Sequence, residues 1–163
     1  MYDNKMWRGA LSVIVGATLA TVPCGVSEAQ APDPLIGTWK LNVAKSTFQP
    51  GPAPKSTTLK YEAASSGIKV TVDTDGAAGP GHWEYTANFD GKEYPVAGNP
   101  EADVVALKRI TALSTEAHLK KSGKAVTTNT RVVSADGKTL TITVKGTNAK
   151  GAKVHNVQLF DRQ

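Results

Sequence analysis

Three histidines, a scatter of acids and one tyrosine–arginine pair are the groups in this chain that could do chemistry, and their spacing argues against most of it. His82, His118 and His155 lie far apart, and none has the i, i+2 or i, i+4 partner that a shared metal ion would need. The acids Asp73, Asp75, Glu84, Glu93, Glu101 and Asp103 fall in turns or on the wet side of alternating segments. No glycine-rich loop opens a helix, and no nucleophile elbow presents a serine. Tyr85 as acid with Arg109 as electrostatic stabiliser is the one catalytic pair the chain could assemble. The expectation is a protein that is not an enzyme and uses no metal and no cofactor.

Binding is better provided for. Trp83, Tyr85 and Phe89 share one face of an alternating segment, bringing large apolar area and one hydroxyl to the same side. Arg109 shares a face with Val105 and Leu107, while Asn156 and Gln158 share theirs with Val154 and Phe160. Polar groups on an apolar face need partners, so they either orient a ligand or organise a strand end or a buried-water network. The candidate ligand-binding residues are therefore Trp83, Tyr85, Phe89, Arg109, Asn156, Gln158 and Phe160.

The elements that must position them are strands. Ile68, Val70 and Val72 alternate with Lys69, Thr71 and Asp73, and Leu140, Ile142 and Val144 alternate with Thr139, Thr141 and Thr143. Turn signals separate such runs at Ser66-Gly67, Asp75-Gly76 through Gly81, Asp90-Gly91, Gly98-Asn99-Pro100, Ser122-Gly123, Asp136-Gly137 and Lys150-Gly151. The pattern predicts about ten strands, at 35–43, 56–64, 67–74, 82–90, 92–97, 103–111, 114–122, 124–134, 138–147 and 152–162. No stretch carries apolar positions at sustained helical spacing. Short-connected antiparallel strands with one apolar face form a sandwich or a closed barrel, and sequential hairpins without a long crossover favour an all-β, up-and-down barrel of about 8–10 strands.

Ahead of this domain, Lys5 and Arg8 precede an apolar run from Gly9 to Val22, and Ser27-Glu28-Ala29 offers small residues where a signal peptidase cuts. The expected organisation is a cleavable signal peptide at 1–29, a stiff proline-rich lead-in at 30–34 and a barrel at 35–163. A membrane anchor would need a longer run than one interrupted by Pro23, and Pro23 also sits badly in a lipid-attachment signal for Cys24. Losing the leader loses the only cysteine, hence any disulfide, thiolate nucleophile or Cys metal site. Export implies a periplasmic or secreted destination. The net charge of +5 is spread as lysines along the chain, without basic runs interleaved by aromatics. Nucleic acid is therefore not an expected partner, and weak contact with anionic envelope surfaces is.

Gly37-Thr38-Trp39-Lys40-Leu41 resembles the first strand of the calycins, the superfamily of lipocalins and fatty-acid-binding proteins, and is closest to the latter's Gly-Thr-Trp-Lys-Leu. Asp136-Gly137-Lys138-Thr139-Leu140 resembles their late hairpin, and Val157 to Arg162 stands where their closing strand does. The chain is also similar to exported bacterial proteins of uncharacterised role that carry lipocalin-like domains. The resemblance implies that Trp39 plugs the barrel floor beneath a basic side chain, Arg162 or Arg131, in cation–π contact worth roughly 0.5 to 2 kcal/mol. Gly37, Trp39 and Arg162 are accordingly expected to be structural.

Two departures bear on cargo. Fatty-acid-binding proteins hold the ligand carboxylate with an Arg-x-Tyr on the last strand, where this chain has Gln158 and Phe160. Their helical lid is replaced by Phe48-Gln49-Pro50-Gly51-Pro52-Ala53-Pro54, which cannot be helical and should run as a strap over one barrel end. Without a fixed cation the burial of an anion costs several kcal/mol, so the expected ligand is a small, apolar and uncharged molecule. The alternative is a filled barrel that serves as an envelope structural or interaction module through its basic surface.

Overall fold

A computed structural model describes residues 32–163 of the protein. The expected signal peptide at 1–29 and the start of the lead-in lie outside the described residues. Ten strands follow in order: β1 (Gly37–Leu41), β2 (Ser56–Ala64), β3 (Gly67–Gly76), β4 (Gly79–Asn88), β5 (Asp90–Ala97), β6 (Val104–Arg109), β7 (Ser114–Lys121), β8 (Lys124–Val133), β9 (Thr139–Thr147) and β10 (Lys153–Arg162). Each pairs antiparallel with its chain neighbours, and β1 also pairs with β10, setting Trp39 against Arg162 and Leu41 against Phe160. The meander is thus a closed all-β barrel, and closure removes the free edges that a sandwich would keep.

The turns show why hairpins form where they do. Ser122 and Gly123 take φ of 49° and 75°, the pair of positive angles that lets a two-residue loop join two twisted strands. Asp75-Gly76 behaves otherwise. It stays in β3, with Asp75 opposite Pro80 and Gly76 opposite Gly79, so the turn moves to Ala77-Ala78 and the hairpin is longer than its turn residues suggest. The loosest seam is β4 to β5, paired at Glu84–Ala97 and Tyr85–Val96. The Phe48 to Pro54 segment is a non-helical strap, tied to β10 by the Thr47–Val157 bridge, the His155 N–H to Gln49 carbonyl bond and the Gln49 N–H to Asn156 Oδ1 bond of 2.8 Å.

Inward side chains stack in rows, as the period of two requires. Across β10, β9 and β8 the rows are Phe160, Leu140 and Val133 lowest, then Gln158, Ile142 and Arg131, then Asn156, Val144 and Asn129. On the facing wall of β2, β3 and β4, Tyr61, Val70 and Tyr85 lie below Leu59, Val72 and Trp83. The lowest layers fill completely: Trp39, Leu107, Leu140 and Val105 are wholly buried, and Leu35, just ahead of β1, joins them.

Trp39 closes this floor. Its indole N–H donates to the Leu35 carbonyl at 2.9 Å, and the Arg162 guanidinium lies 4.2 Å from the ring centroid. Of the two arginines named for this contact, Arg162 makes it. The same guanidinium donates to the carbonyls of Pro34 (2.5 Å), Ile36 (2.7 Å) and Gly137 (2.6 Å), joining the stretch ahead of β1 and the β8–β9 hairpin to β10. Gly37 permits it: φ there is +138°, and a Cβ would stand 2.6 Å from Arg162 Nη1.

Candidate functional site

Above the floor the barrel is hollow. A cavity of about 320 Å³ is enclosed by Leu59, Tyr61, Val70, Val72 and Trp83 on one wall and by Asn129, Arg131, Ile142, Val144, Asn156 and Gln158 on the other, with Phe48 and Pro54 of the strap at its rim. A second hollow of about 310 Å³ opens toward the mouth, past Asn99, Glu101 and Asn148. Trp83, Asn129, Val144 and Asn156 line both, so these four side chains form the partition between the inner and outer chambers. At the mouth the loops are knitted by Asn148 Oδ1, which accepts from the Lys150 and Ala152 N–H groups, and by Glu101, which accepts from Ala149 N–H.

The electrostatic centre of the inner chamber is Arg131. Its side chain is only 3% exposed, and its Nη2 donates to the Tyr85 hydroxyl at 2.8 Å. Its Nε and Nη1 have no partner, and no carboxylate among the described residues pairs with it. The guanidinium centre lies 5.9 Å from the Tyr61 ring. Burial works against the charge, but coupling to the phenols of Tyr85 and Tyr61 outweighs it and holds the arginine above its ordinary value, so the cation persists. Thr115, opposite Arg131 across the β7–β8 register, leaves its own buried hydroxyl unpaired. A buried cation with two unmet donors is costly in an empty protein and favourable beside an anion.

Two further groups flank it. Asn129, two residues earlier on the same face of β8, has a buried Oδ1 without a donor. Tyr61 is 2% exposed, and burial pushes its phenol up to about 12, so it is neutral at physiological pH. Between about pH 10 and 12 an unfolded chain loses this proton while the folded chain keeps it, so unfolding free energy should fall by up to roughly 1.4 kcal/mol per pH unit across that window. Urea midpoints compared at about pH 9 and about pH 11 should therefore drop less in Tyr61→Phe than in the parent protein, and equal drops would contradict this assignment.

The structure divides the residues expected to bind. Trp83, Asn156 and Gln158 line the inner chamber. Tyr85 does not line it; it is stacked with Trp83 (centroids 6.0 Å apart, 18° between planes) and faces inward one row lower, as the acceptor of Arg131. Phe160 belongs to the solid floor, one row below Gln158. Phe89 and Arg109 line neither chamber: Phe89 packs, partly buried, against the core, and the Arg109 guanidinium lies 4.2 Å over its ring and is ion-paired to Asp33 of the lead-in. The reason is register. Two residues carry a strand roughly 6.6 Å, so Arg109, two beyond fully buried Leu107, passes below the floor into solvent.

The three histidines stay off the cavity. His82 pairs with exposed Asp73 at 2.7 Å, His118 bonds Thr128 Oγ1 at 3.2 Å, and His155 is exposed. Among the described residues no three His, Cys, Asp or Glu side chains converge. Sequence reasoning missed Arg131 and Asn129 as cavity groups. The available signal was their i, i+2 spacing in phase with Val133, on a strand whose other residues from Val126 onward are all threonine and valine.

No family model matches the chain, and no curated protein matches it.

Proposed function

We propose that the protein is an exported, calycin-like carrier that holds one small amphipathic molecule, its apolar body against Trp83, Leu59, Val72 and Val144 and its acidic head on Arg131. The single observation behind this reading is the nearly buried guanidinium at the base of the chamber, with two nitrogens unpaired and no neutralising acid. Gln158 and Phe160 alone suggest an uncharged cargo. Arg131 supplies a cation from a different strand, so an acid entering the cavity meets a fixed positive charge. A chamber of about 320 Å³ takes on the order of ten heavy atoms at roughly 30 Å³ each. Burying the ligand's apolar surface at about 25 cal/mol per Å² contributes most of the affinity, and the charged head fixes orientation.

The same chamber counts against the filled barrel working through its basic exterior, which calls for a solid interior. A fluorescent apolar probe should discriminate. Trp83→Ala, which opens the partition, should weaken the probe about tenfold, whereas His118→Ala on the outer face should leave it unchanged. Equal effects of the two substitutions would refute binding in this interior.

A further inference from the structure

Resting on the carrier reading above, we infer that the cargo is a hydroxy acid: a carboxylate for Arg131 with a hydrogen-bond donor, a hydroxyl, a few bonds along the chain for Asn129. The two residues are i and i+2 on β8, face the same chamber and carry complementary deficits. Arg131 lacks acceptors for Nε and Nη1, whereas Asn129 lacks a donor for Oδ1. An unsubstituted fatty acid would meet the first need and leave the second buried and unmet. A hydroxy acid meets both, because its hydroxyl donates to the amide oxygen while its carboxylate accepts from the guanidinium.

Position supports the order of the two groups. Arg131 lies in the lower row with Ile142 and Gln158, and Asn129 in the row above with Val144 and Asn156. Successive rows are about 6.6 Å apart at the backbone, a separation that a carboxylate and a hydroxyl a few bonds apart span once a hydrogen bond is added at each end. Asn156 does not compete for the role, since its Oδ1 already accepts the Gln49 N–H of the strap at 2.8 Å. Asn129 also borders the outer chamber, so a ligand tail leaving the acid head passes it on the way to Trp83 and the mouth.

The test is calorimetric titration of the purified protein with octanoate, 3-hydroxyoctanoate and 3-methoxyoctanoate. 3-Hydroxyoctanoate should bind about three- to tenfold tighter than octanoate, the range one net hydrogen bond supplies. The methoxy analogue, which cannot donate, should lose that gain. In Asn129→Ala and in Asn129→Leu the two acids should bind equally, whatever the common level, because the ratio of the two affinities within one variant cancels any change in the shape of the chamber; a preference for the hydroxy acid that survives both substitutions would overturn the inference. Octanoate binding with no advantage for the hydroxyl would overturn the hydroxy-acid inference and leave the carrier intact. An equal or greater gain from the methoxy group would overturn it too, because the amide would then be presenting its NH₂. Failure of all three acids to bind would overturn both the inference and the carrier reading.

Discussion

Arg131→Met should move binding and stability in opposite directions. Titrated with octanoate, the variant should bind roughly 30- to 1,000-fold more weakly, because removing one partner of a buried charge contact costs about 2 to 4 kcal/mol. Empty, it should be the more stable protein, by about 1 to 3 kcal/mol, since the substitution deletes a buried cation that no acid neutralises and fills the space with an apolar chain of similar length. Tyr85 loses its donor, which offsets part of the gain. The combination is diagnostic. A side chain kept for structure would lose stability on replacement, and a side chain kept for cargo loses cargo and gains stability. Denaturant melts of both ligand-free proteins, read beside the titration, give the two signs independently.

Arg162→Ala should be the most damaging single change at the floor. The guanidinium makes three charged hydrogen bonds to carbonyls on two separate segments, the stretch ahead of β1 and the β8–β9 hairpin, and covers the Trp39 ring. Charge-assisted bonds contribute about 1.5 to 3 kcal/mol each before solvent competition, but the side chain is only partly buried, so a total loss of about 2 to 4 kcal/mol is the reasonable scale. At this domain size that corresponds to a fall in Tm of roughly 8 to 15 °C. Arg162→Lys should recover little of it, because an ammonium cannot reach Pro34, Ile36 and Gly137 from one planar fork. A thermal melt of the alanine variant within a couple of degrees of the parent would show that β1 and β10 close the barrel without this clamp.

These two arginines also mark what the sequence disclosed and what it withheld. The strands were legible because Ile68-Val70-Val72 and Leu140-Ile142-Val144 alternate cleanly, and because Ser122-Gly123 and Asp136-Gly137 allow few backbone solutions. Closure was legible through Gly37, Trp39 and the chain end, whose residues pair as Trp39 with Arg162. The chamber was harder. On β8 the inward positions are Asn129, Arg131 and Val133 while Val132 faces outward and is 44% exposed, so adjacent valines fall on opposite faces and the rule of apolar inside does not choose between them. The register shift between Leu119 and Lys120 adds a further half-turn of ambiguity to the phase of that strand. Arg109 misled in the opposite sense: it keeps phase with Val105 and Leu107, yet β6 ends there, and phase alone does not report where the floor lies. Residues such as Asn129 and Arg131 break local pattern at a cost to stability, which is where function is expected to reside.

The most direct measurement is a matched pair of calorimetric titrations at neutral pH, octanoate against octanol, on the parent protein and on Arg131→Met. With a neutralisable cation at the base of the chamber, the parent should take one equivalent of the acid about tenfold or more tighter than the alcohol, and the variant should no longer distinguish them. Equal affinity for acid and alcohol in the parent protein, or a preference for the acid that survives loss of the guanidinium, would contradict the account.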